Sequence, residues 1–170
     1  MKNSVKIASA LVLLAATTFI GALAYSNALD SAERTDLTVL VENDKILLNP
    51  YGIIPVNQER YPQRNFNMAV AFVRFLISTE GQSLIANFKR EGETVFIPFA
   101  KNFTLAHSLG FPNQEQEIEW YTLQATSPTA NFSTSLLLAT TTSTYESGLL
   151  DYMIPFFEQK NHVRVYIISV

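Results

Sequence analysis

The stretch Leu136-Leu-Leu-Ala-Thr-Thr-Thr-Ser-Thr-Tyr-Glu-Ser-Gly-Leu-Leu-Asp151 decides much of the fold. Its apolar start, Leu136–Ala139, predicts a strand, and a run of hydroxyl residues separates this strand from an amphipathic helix predicted over about Tyr145–Lys160. A second apolar run, Val163–Val170, predicts another strand. Strand, helix and strand in this order predict a βαβ unit, in which a crossover helix joins two parallel strands.

The hydroxyl residues between strand and helix, Thr140–Thr144, indicate a binding site for a small anion. The first turn of a helix has backbone N–H groups without intrahelical partners and carries partial positive charge. Neutral hydroxyl donors beside such amides bind an anion without lysine or arginine. Capping a helix requires only one Ser or Thr, so five in a row favour the anion site. The candidate oxyanion-binding residues are Thr141, Thr142, Ser143 and Thr144.

The composition restricts the class of protein. A chain of 170 residues that is 48% hydrophobic and 16% charged suits one globular domain. Its net charge is −3, and the excess of acidic residues grows when Lys2 and Lys6 are left out, which argues against a nucleic-acid partner. Because the chain has no cysteine, it has no disulfide, no thiolate nucleophile and no Cys-based zinc site.

The sequence has no catalytic or metal-binding pattern. It lacks a nucleophile elbow, a Gly-rich phosphate loop and a paired-carboxylate motif. His107 and His162 lie far apart, without neighbours at metal-ligand spacing, and we interpret both as surface residues. Arg60, Arg64 and Arg74 are interpreted as solvated, with anion contacts as the alternative. We predict a protein that is not an enzyme and uses no cofactor or metal.

The first 28 residues have the order of an export signal. A basic start with Lys2 and Lys6 precedes the apolar run Ile7–Tyr25, and small residues follow. We predict a mature chain that begins near Asn27 or Leu29. The alternative is an uncleaved membrane anchor, because the apolar run approaches the roughly 20 residues that span a bilayer. Either way, the body of the protein is expected outside the cytoplasm, in the periplasm or its equivalent.

Short strands are predicted between the leader and the middle of the chain. Leu37–Val41 is rich in β-branched residues and predicts a strand. Asn49-Pro-Tyr-Gly52 predicts a sharp turn before a further strand at Ile53–Val56. For this turn we favour a structural role, with a position lining a cleft as the alternative. Val95–Pro98 predicts one more extended piece.

Two helices and a linker complete the predicted elements. Apolar residues at helical spacing predict a helix over Asn65–Ile77, and Thr79 is the expected cap of a second helix. The segment 102–135 is rich in proline and polar residues. We interpret it as a linker with at most one short strand near Ile118–Leu123.

Two blocks of the sequence resemble one family. The tail with Ala139-Thr-Thr-Thr-Ser-Thr144 and Gly148-Leu-Leu-Asp151 is similar to the beginning of the mature tungstate-binding proteins, the extracytoplasmic receptors of tungstate ABC importers. Leu47-Leu-Asn-Pro-Tyr-Gly-Ile-Ile-Pro-Val-Asn57, Ser78-Thr-Glu-Gly-Gln-Ser-Leu-Ile85 and Phe96-Ile-Pro98 resemble the end of the same proteins. The resemblance implies a periplasmic-binding-protein-like α/β fold of type II, in which the sheet of the first lobe uses both chain ends.

Relative to that family, the two blocks stand in exchanged order and the family's middle is missing. We interpret the chain as a single partial lobe with a mixed or parallel sheet flanked by helices. Its expected parts are a signal peptide or membrane anchor (1–28), a block like the C-terminal part of the receptor lobe (37–101), the linker (102–135) and a βαβ block like the N-terminal part (136–170). A circularly permuted lobe, a truncated piece of a tandem receptor and a rearranged gene are three open explanations.

The resemblance implies an exported substrate-binding lobe that binds a tetrahedral oxyanion, tungstate or molybdate, and delivers it to the membrane subunit of an ABC importer. The alternative is a ligandless structural or interaction remnant, anchored at the membrane through its N-terminal segment. If the two blocks form one lobe, Leu136–Ala139 shares a sheet with Ile53–Val56 or its neighbours. The helices that begin near Asn65 and Tyr145 then pack on that sheet through apolar side chains of both blocks: Phe72, Phe75, Leu149 and Ile154.

Overall fold

The computed structural model describes residues 14–16, 49–90, 92–123 and 135–170. The strand predicted at Leu37–Val41 and most of the predicted export signal lie outside the described residues. The described strands are β1 (Leu14–Ala16), β2 (Asn49–Tyr51), β3 (Lys89–Arg90), β4 (Glu93–Thr94), β5 (Ile97–Pro98), β6 (Ser135–Thr140) and β7 (Arg164–Ser169). The described helices are α1 (Phe66–Ile77), α2 (Thr79–Asn87), α3 (Phe103–Ser108), α4 (Glu115–Leu123), α5 (Thr142–Glu146) and α6 (Leu149–Asn161).

Within the described residues, the strands form three small sheets. In the first, β1 lies in the middle and pairs antiparallel with β2 and β5. In the second, β3 and β4 pair antiparallel. In the third, β6 and β7 are parallel, from Ser135 opposite Arg164 to Thr140 opposite Ser169. This combination of helices with parallel and antiparallel strands agrees with the predicted α/β class.

The predicted βαβ unit is present, with one change in its helix. The two strands are β6 and β7, and they are parallel as expected. The crossover consists of α5 and α6, whereas the sequence predicted one helix over Tyr145–Lys160. The break falls at Ser147 and Gly148, because Gly148 has a φ of +78°, a backbone conformation that interrupts a helix and favours glycine.

The strand predicted at Ile53–Val56 is wrong. The strand falls instead on Asn49–Tyr51, where the turn was predicted, and Ile53–Val56 has no regular secondary structure. Proline cannot donate to a strand ladder, so Pro50 suits β2 because β2 is an edge strand. The sheet of β6 and β7 is separate from the sheet that contains β2, so the predicted common sheet of the two blocks is not formed among the described residues.

The helix predicted over Asn65–Ile77 is confirmed, and the cap of the next helix is corrected. Asn65 caps α1, because its side-chain oxygen accepts the Met68 N–H at 3.1 Å. Ser78 ends α1 and also caps α2, because its hydroxyl oxygen accepts the Gly81 N–H at 3.0 Å. The predicted cap, Thr79, is therefore the first residue of α2 rather than its cap.

Two helices, α3 and α4, lie inside the segment predicted as a linker. The short strand expected near Ile118–Leu123 is wrong, because these residues belong to α4. Ile118 and Tyr121 are three residues apart, so they share one face of the helix, and both are buried in the core. The polar residues around them concealed this short apolar stripe in the sequence.

One hydrophobic core joins the two blocks. Phe72 and Phe75 of α1 contact Phe157 of α6, with ring centroids 4.9 and 5.5 Å apart. The four residues predicted to pack together are all buried in this core: Phe72, Phe75, Leu149 and Ile154. The predicted packing of the helices on one common sheet is wrong, because the strands of the two blocks do not share a sheet among the described residues, but the four side chains do lie in one core.

None of the described helices is by itself long and apolar enough to cross a membrane. The helices α1 and α2 pass that test only as a pair, and they are bent by 59° where they meet.

Candidate functional site

The candidate site lies where β6 ends and α5 begins. Open α/β sheets bind ligands at the carboxyl ends of their parallel strands, and β6 ends here beside its parallel partner. The Thr141 Oγ1 atom lies 2.9 Å from Thr144 Oγ1 and 3.2 Å from Ser143 Oγ. We call Thr141, Ser143 and Thr144 the hydroxyl cluster. The structure thus brings three of the four predicted residues within hydrogen-bond distance.

Thr141 occupies the N-cap position of α5, but its hydroxyl makes no capping bond to the helix backbone. Its hydroxyl contacts the side chains of Ser143 and Thr144 instead. Amides in the first turn of a helix have no intrahelical acceptor. The amides of Ser143 and Thr144 therefore lie beside the cluster without the cap that Thr141 would ordinarily provide.

Thr142 has a different role from its neighbours. Its backbone N–H donates to the Val170 carbonyl at 3.3 Å, and the Val170 N–H donates to the Thr140 carbonyl at 3.0 Å. These two bonds continue the parallel pairing of β6 and β7 by one step. The Thr142 side chain is exposed. The backbone of Thr142 thus fixes the loop that carries the hydroxyl cluster.

Tyr51 of β2 approaches the cluster from the interior. Its phenolic oxygen is buried, and its ring meets Phe96 edge to face with centroids 5.8 Å apart. Burial raises the pKa of the Tyr51 hydroxyl above its ordinary value, and hydrogen bonding to the hydroxyls of Thr144 and Ser143 acts in the opposite direction. Tyr51 is therefore a neutral phenol at neutral pH, close to Ser143 and Thr144.

Sequence reasoning did not select Tyr51 as a site residue. It placed the residue in a structural turn and kept a cleft-lining position only as the alternative. The available signal was that the block containing Asn49-Pro-Tyr-Gly52 and the Thr-rich tail resemble the same family. Two blocks from one lobe are expected to meet in space, and Tyr51 is where they meet at the hydroxyl cluster.

Arg90 contacts the carbonyl end of α5. Arg90 of β3 donates to the Glu146 carbonyl at 3.3 Å, at the other end of this helix. A cation at the carbonyl end of a helix is favourable, because that end is partially negative. Arg60 and Arg64 are exposed, and Arg74 is half-buried on α1. The hydroxyls of Thr141, Ser143 and Thr144 are themselves neutral donors.

Both histidines, His107 and His162, are exposed. Among the described residues, no group of three or more His, Cys, Asp or Glu side chains is arranged to hold a metal ion.

A cleft of about 390 Å³ lies between α3 and α4. Its apolar wall includes Phe99, Phe103 and Phe111, and His107 and Glu115 lie on its polar side. None of the residues that line it belongs to the hydroxyl cluster, so the cleft is a separate feature of the fold.

Two known proteins are similar to part of this chain. It is 49% identical over 55 residues to a protein of Haloferax volcanii named as an ABC transporter anion-binding protein, and the match covers 32% of this chain and 16% of that protein. It is 39% identical over 66 residues to the tungstate-binding protein TupA of Peptoclostridium acidaminophilum, over 38% of this chain and 23% of TupA. No family model and no solved structure matches the chain.

Part of this chain is thus similar to part of an ABC transporter anion-binding protein and to part of a tungstate-binding protein. The matches span less than a quarter of either relative's length. Both relatives are named as binding proteins and not as enzymes. The similarity therefore covers only a small part of each relative.

Proposed function

We propose that this protein is an extracytoplasmic substrate-binding lobe that binds a tetrahedral oxyanion, tungstate or molybdate, for an ABC importer. The observation that carries the proposal is the meeting of the Thr141, Ser143 and Thr144 hydroxyls at the end of β6. The names of the two partial relatives, one anion-binding and one tungstate-binding, support the same ligand class.

The chemistry of the hydroxyl cluster suits such a ligand. Tungstate and molybdate are dianions whose oxygens only accept hydrogen bonds, whereas each Ser or Thr hydroxyl carries a donor proton. The backbone amides of Ser143 and Thr144, which the Thr141 side chain does not cap, add further donors beside the cluster. These donors do not titrate near neutral pH, so binding is expected to be insensitive to pH there. Thr142 contributes its backbone amide, which holds the loop through its bond to Val170. Its side chain lies at the edge of the proposed site.

We propose further that the two blocks are parts of one lobe in exchanged order. The support is their shared core, in which Phe72 of one block packs against Phe157 of the other. Export through the segment 1–28 and delivery to an importer's membrane subunit belong to the same proposal. One lobe contacts an anion from one side only, so we expect weaker binding than a closed two-lobed receptor gives.

Thermal unfolding with and without tungstate tests the proposal. A ligand that binds only the native state raises the melting temperature. We expect a rise with tungstate that sulfate at matched ionic strength does not reproduce. Replacing Thr141, Ser143 and Thr144 together by alanine should abolish it. The matched control replaces three exposed hydroxyl residues elsewhere by alanine: Thr79, Ser83 and Thr104. This control should keep the rise in melting temperature.

The competing interpretation, a ligandless remnant, gives a different result. It predicts no rise with tungstate or molybdate beyond the general effect of salt. Equal rises with tungstate and sulfate, or a rise that survives in the triple variant of the cluster, would contradict the proposed site.

A further inference from the structure

We propose that the cleft between α3 and α4 binds a small organic ammonium ion, held between phenylalanine rings and the Glu115 carboxylate. The cleft shares no lining residue with the hydroxyl cluster, so the inference does not rest on the proposed anion-binding function. It gives a binding role to the segment that the sequence predicted to be a linker.

The cleft has the size and the lining of a small-molecule site. Its volume is about 390 Å³, and clefts that bind small molecules have volumes of about 300–1,000 Å³. Such sites combine a mostly apolar, aromatic wall with a few polar groups that orient the ligand. Here the rings of Phe99, Phe103 and Phe111 form the apolar wall, and His107 and Glu115 lie on the polar side. The lining therefore suits a ligand with an apolar body and one polar or charged group.

The aromatic wall is held in place by the surrounding chain. The rings of Phe99 and Phe111 stack, with centroids 5.3 Å apart and planes inclined by 15°, and Phe99 is buried. Gly110, with a φ of +87°, turns the chain after α3, and the Phe111 N–H then donates to the Ala106 carbonyl at 3.1 Å. Rings fixed in this way need little ordering when a ligand binds, which favours affinity.

The carboxylate side of the cleft is fixed at the start of α4. The Glu115 N–H donates to the Asn113 side-chain oxygen at 2.9 Å, and Ile118, one turn further along α4, is buried against the core. Within the described residues, the Glu115 carboxylate forms no ion pair or side-chain hydrogen bond. No lysine or arginine is among the described residues that line the cleft. The charge that complements this lining is therefore positive.

The two walls together select an organic cation. The face of an aromatic ring attracts a cation through its quadrupole, and a carboxylate attracts it through its charge. An anion would be repelled by Glu115. A metal ion needs several oxygen or nitrogen ligands, and no group of three or more such acidic or histidine side chains is arranged for one in the described part of the chain. An ammonium ion places its methyl or methylene groups on the rings and its charge toward Glu115.

The direct test compares choline with dimethylbutanol, an uncharged molecule of the same shape in which carbon replaces the ammonium nitrogen. Titration followed by the backbone amide NMR signals of the full chain gives both affinities. We expect choline to shift the signals of residues that line the cleft, among them Ala106, Phe111 and Glu115. The alcohol should bind about tenfold more weakly. Equal affinities for the two molecules, or choline shifts confined to other parts of the chain, would overturn the proposal.

Variants separate the contributions of the carboxylate and the rings. Glu115→Gln should weaken choline binding about fivefold and leave the alcohol unaffected. The matched control, Glu119→Gln, removes the same charge from an exposed residue of α4 outside the cleft and should bind choline as the wild type does. Phe111→Leu keeps an apolar side chain but removes a ring, and it should also weaken choline binding about fivefold. Unchanged choline affinity in both Glu115→Gln and Phe111→Leu would contradict the site, and thermal unfolding shows that each variant is folded.

The triple alanine variant of the hydroxyl cluster separates this site from the proposed anion site. It should bind choline with wild-type affinity, because Thr141, Ser143 and Thr144 do not line the cleft. Loss of choline binding in this folded variant would place the cation elsewhere and overturn the inference. Absence of any choline binding by the wild type overturns the inference as well, and it leaves the tungstate proposal standing.

Discussion

The ring of Phe157 meets the ring of Phe72 edge to face, with 4.9 Å between their centroids. Phe72 lies on α1 and Phe157 on α6, so the contact joins the two blocks of the chain. Phe75 completes the group, 5.5 Å from Phe157. Aromatic pairs of this kind contribute about 0.5–1.5 kcal/mol beyond the burial of their surface. This contact lies in the hydrophobic core that packs the two blocks against each other.

Replacing Phe157 by alanine should lower the free energy of unfolding by about 3–5 kcal/mol, because it leaves a cavity between α1 and α6. Phe157 is 0% exposed, whereas its neighbour Phe156 is 42% exposed. The matched variant Phe156→Ala should therefore cost less than about 1 kcal/mol. Urea unfolding followed by circular dichroism measures both values. Equal losses in the two variants would contradict the packing of α6 described above.

A cut between the two blocks should leave them associated. A protease site introduced within residues 124–134 interrupts the chain between α4 and β6. The aromatic contacts of Phe157 and the ion pair of Lys160 with Glu80 both cross this cut. After cleavage, the two pieces should elute together in gel filtration. Adding Phe157→Ala should release the shorter piece, and separation of the unmutated pieces in buffer would argue against a shared core.

Gly81→Ala should destabilise the fold, although alanine is favoured over glycine in helices by about 1 kcal/mol. A Cβ atom on Gly81 would lie 2.1 Å from the Phe75 carbonyl oxygen and 2.9 Å from that of Leu76. The close approach follows from the 59° bend between α1 and α2. We expect a net loss of about 1–3 kcal/mol in urea unfolding. The control Ser83→Ala, exposed on the same helix, should be neutral or slightly stabilising.

Alkaline stability should depend on Tyr51. Its pKa in the folded protein is raised by burial above the ordinary value of about 10 that applies when the chain is unfolded. The folded state therefore holds the phenol proton more tightly. The corresponding stability is complete below that ordinary value and is lost as the pH rises through it toward the folded pKa.

The comparison of wild type with Tyr51→Phe measures this contribution. Urea midpoints from about pH 8 to about pH 11, a range that brackets the tyrosine pKa, should fall less steeply in Tyr51→Phe. In the control Tyr61→Phe, which changes an exposed tyrosine, the urea midpoint should fall with pH as steeply as in the wild type. Identical slopes in all three proteins would show that the Tyr51 phenol is not buried.

Apolar spacing was sufficient to locate the elements with long, regular patterns. The helix α1 and the strands β6 and β7 were predicted because residues that face the core recur at the period of the element. The helix α4 was missed because only Ile118 and Tyr121 face the core, among polar neighbours. The strand β2 was missed because Pro50 and Gly52 signal a turn, and their local preference was overridden by pairing with β1.

The sequence by itself determined the βαβ unit and the hydroxyl run that its loop carries, since both depend on residues close together in the chain. Only the tertiary structure decided which hydroxyls meet, because their side chains take positions set by α5 and by the bond of Thr142 to Val170. Only the tertiary structure places Tyr51 of one block close to Thr144 of the other. Contacts between distant segments depend on how the core packs, and neither local propensity nor apolar period contains that information.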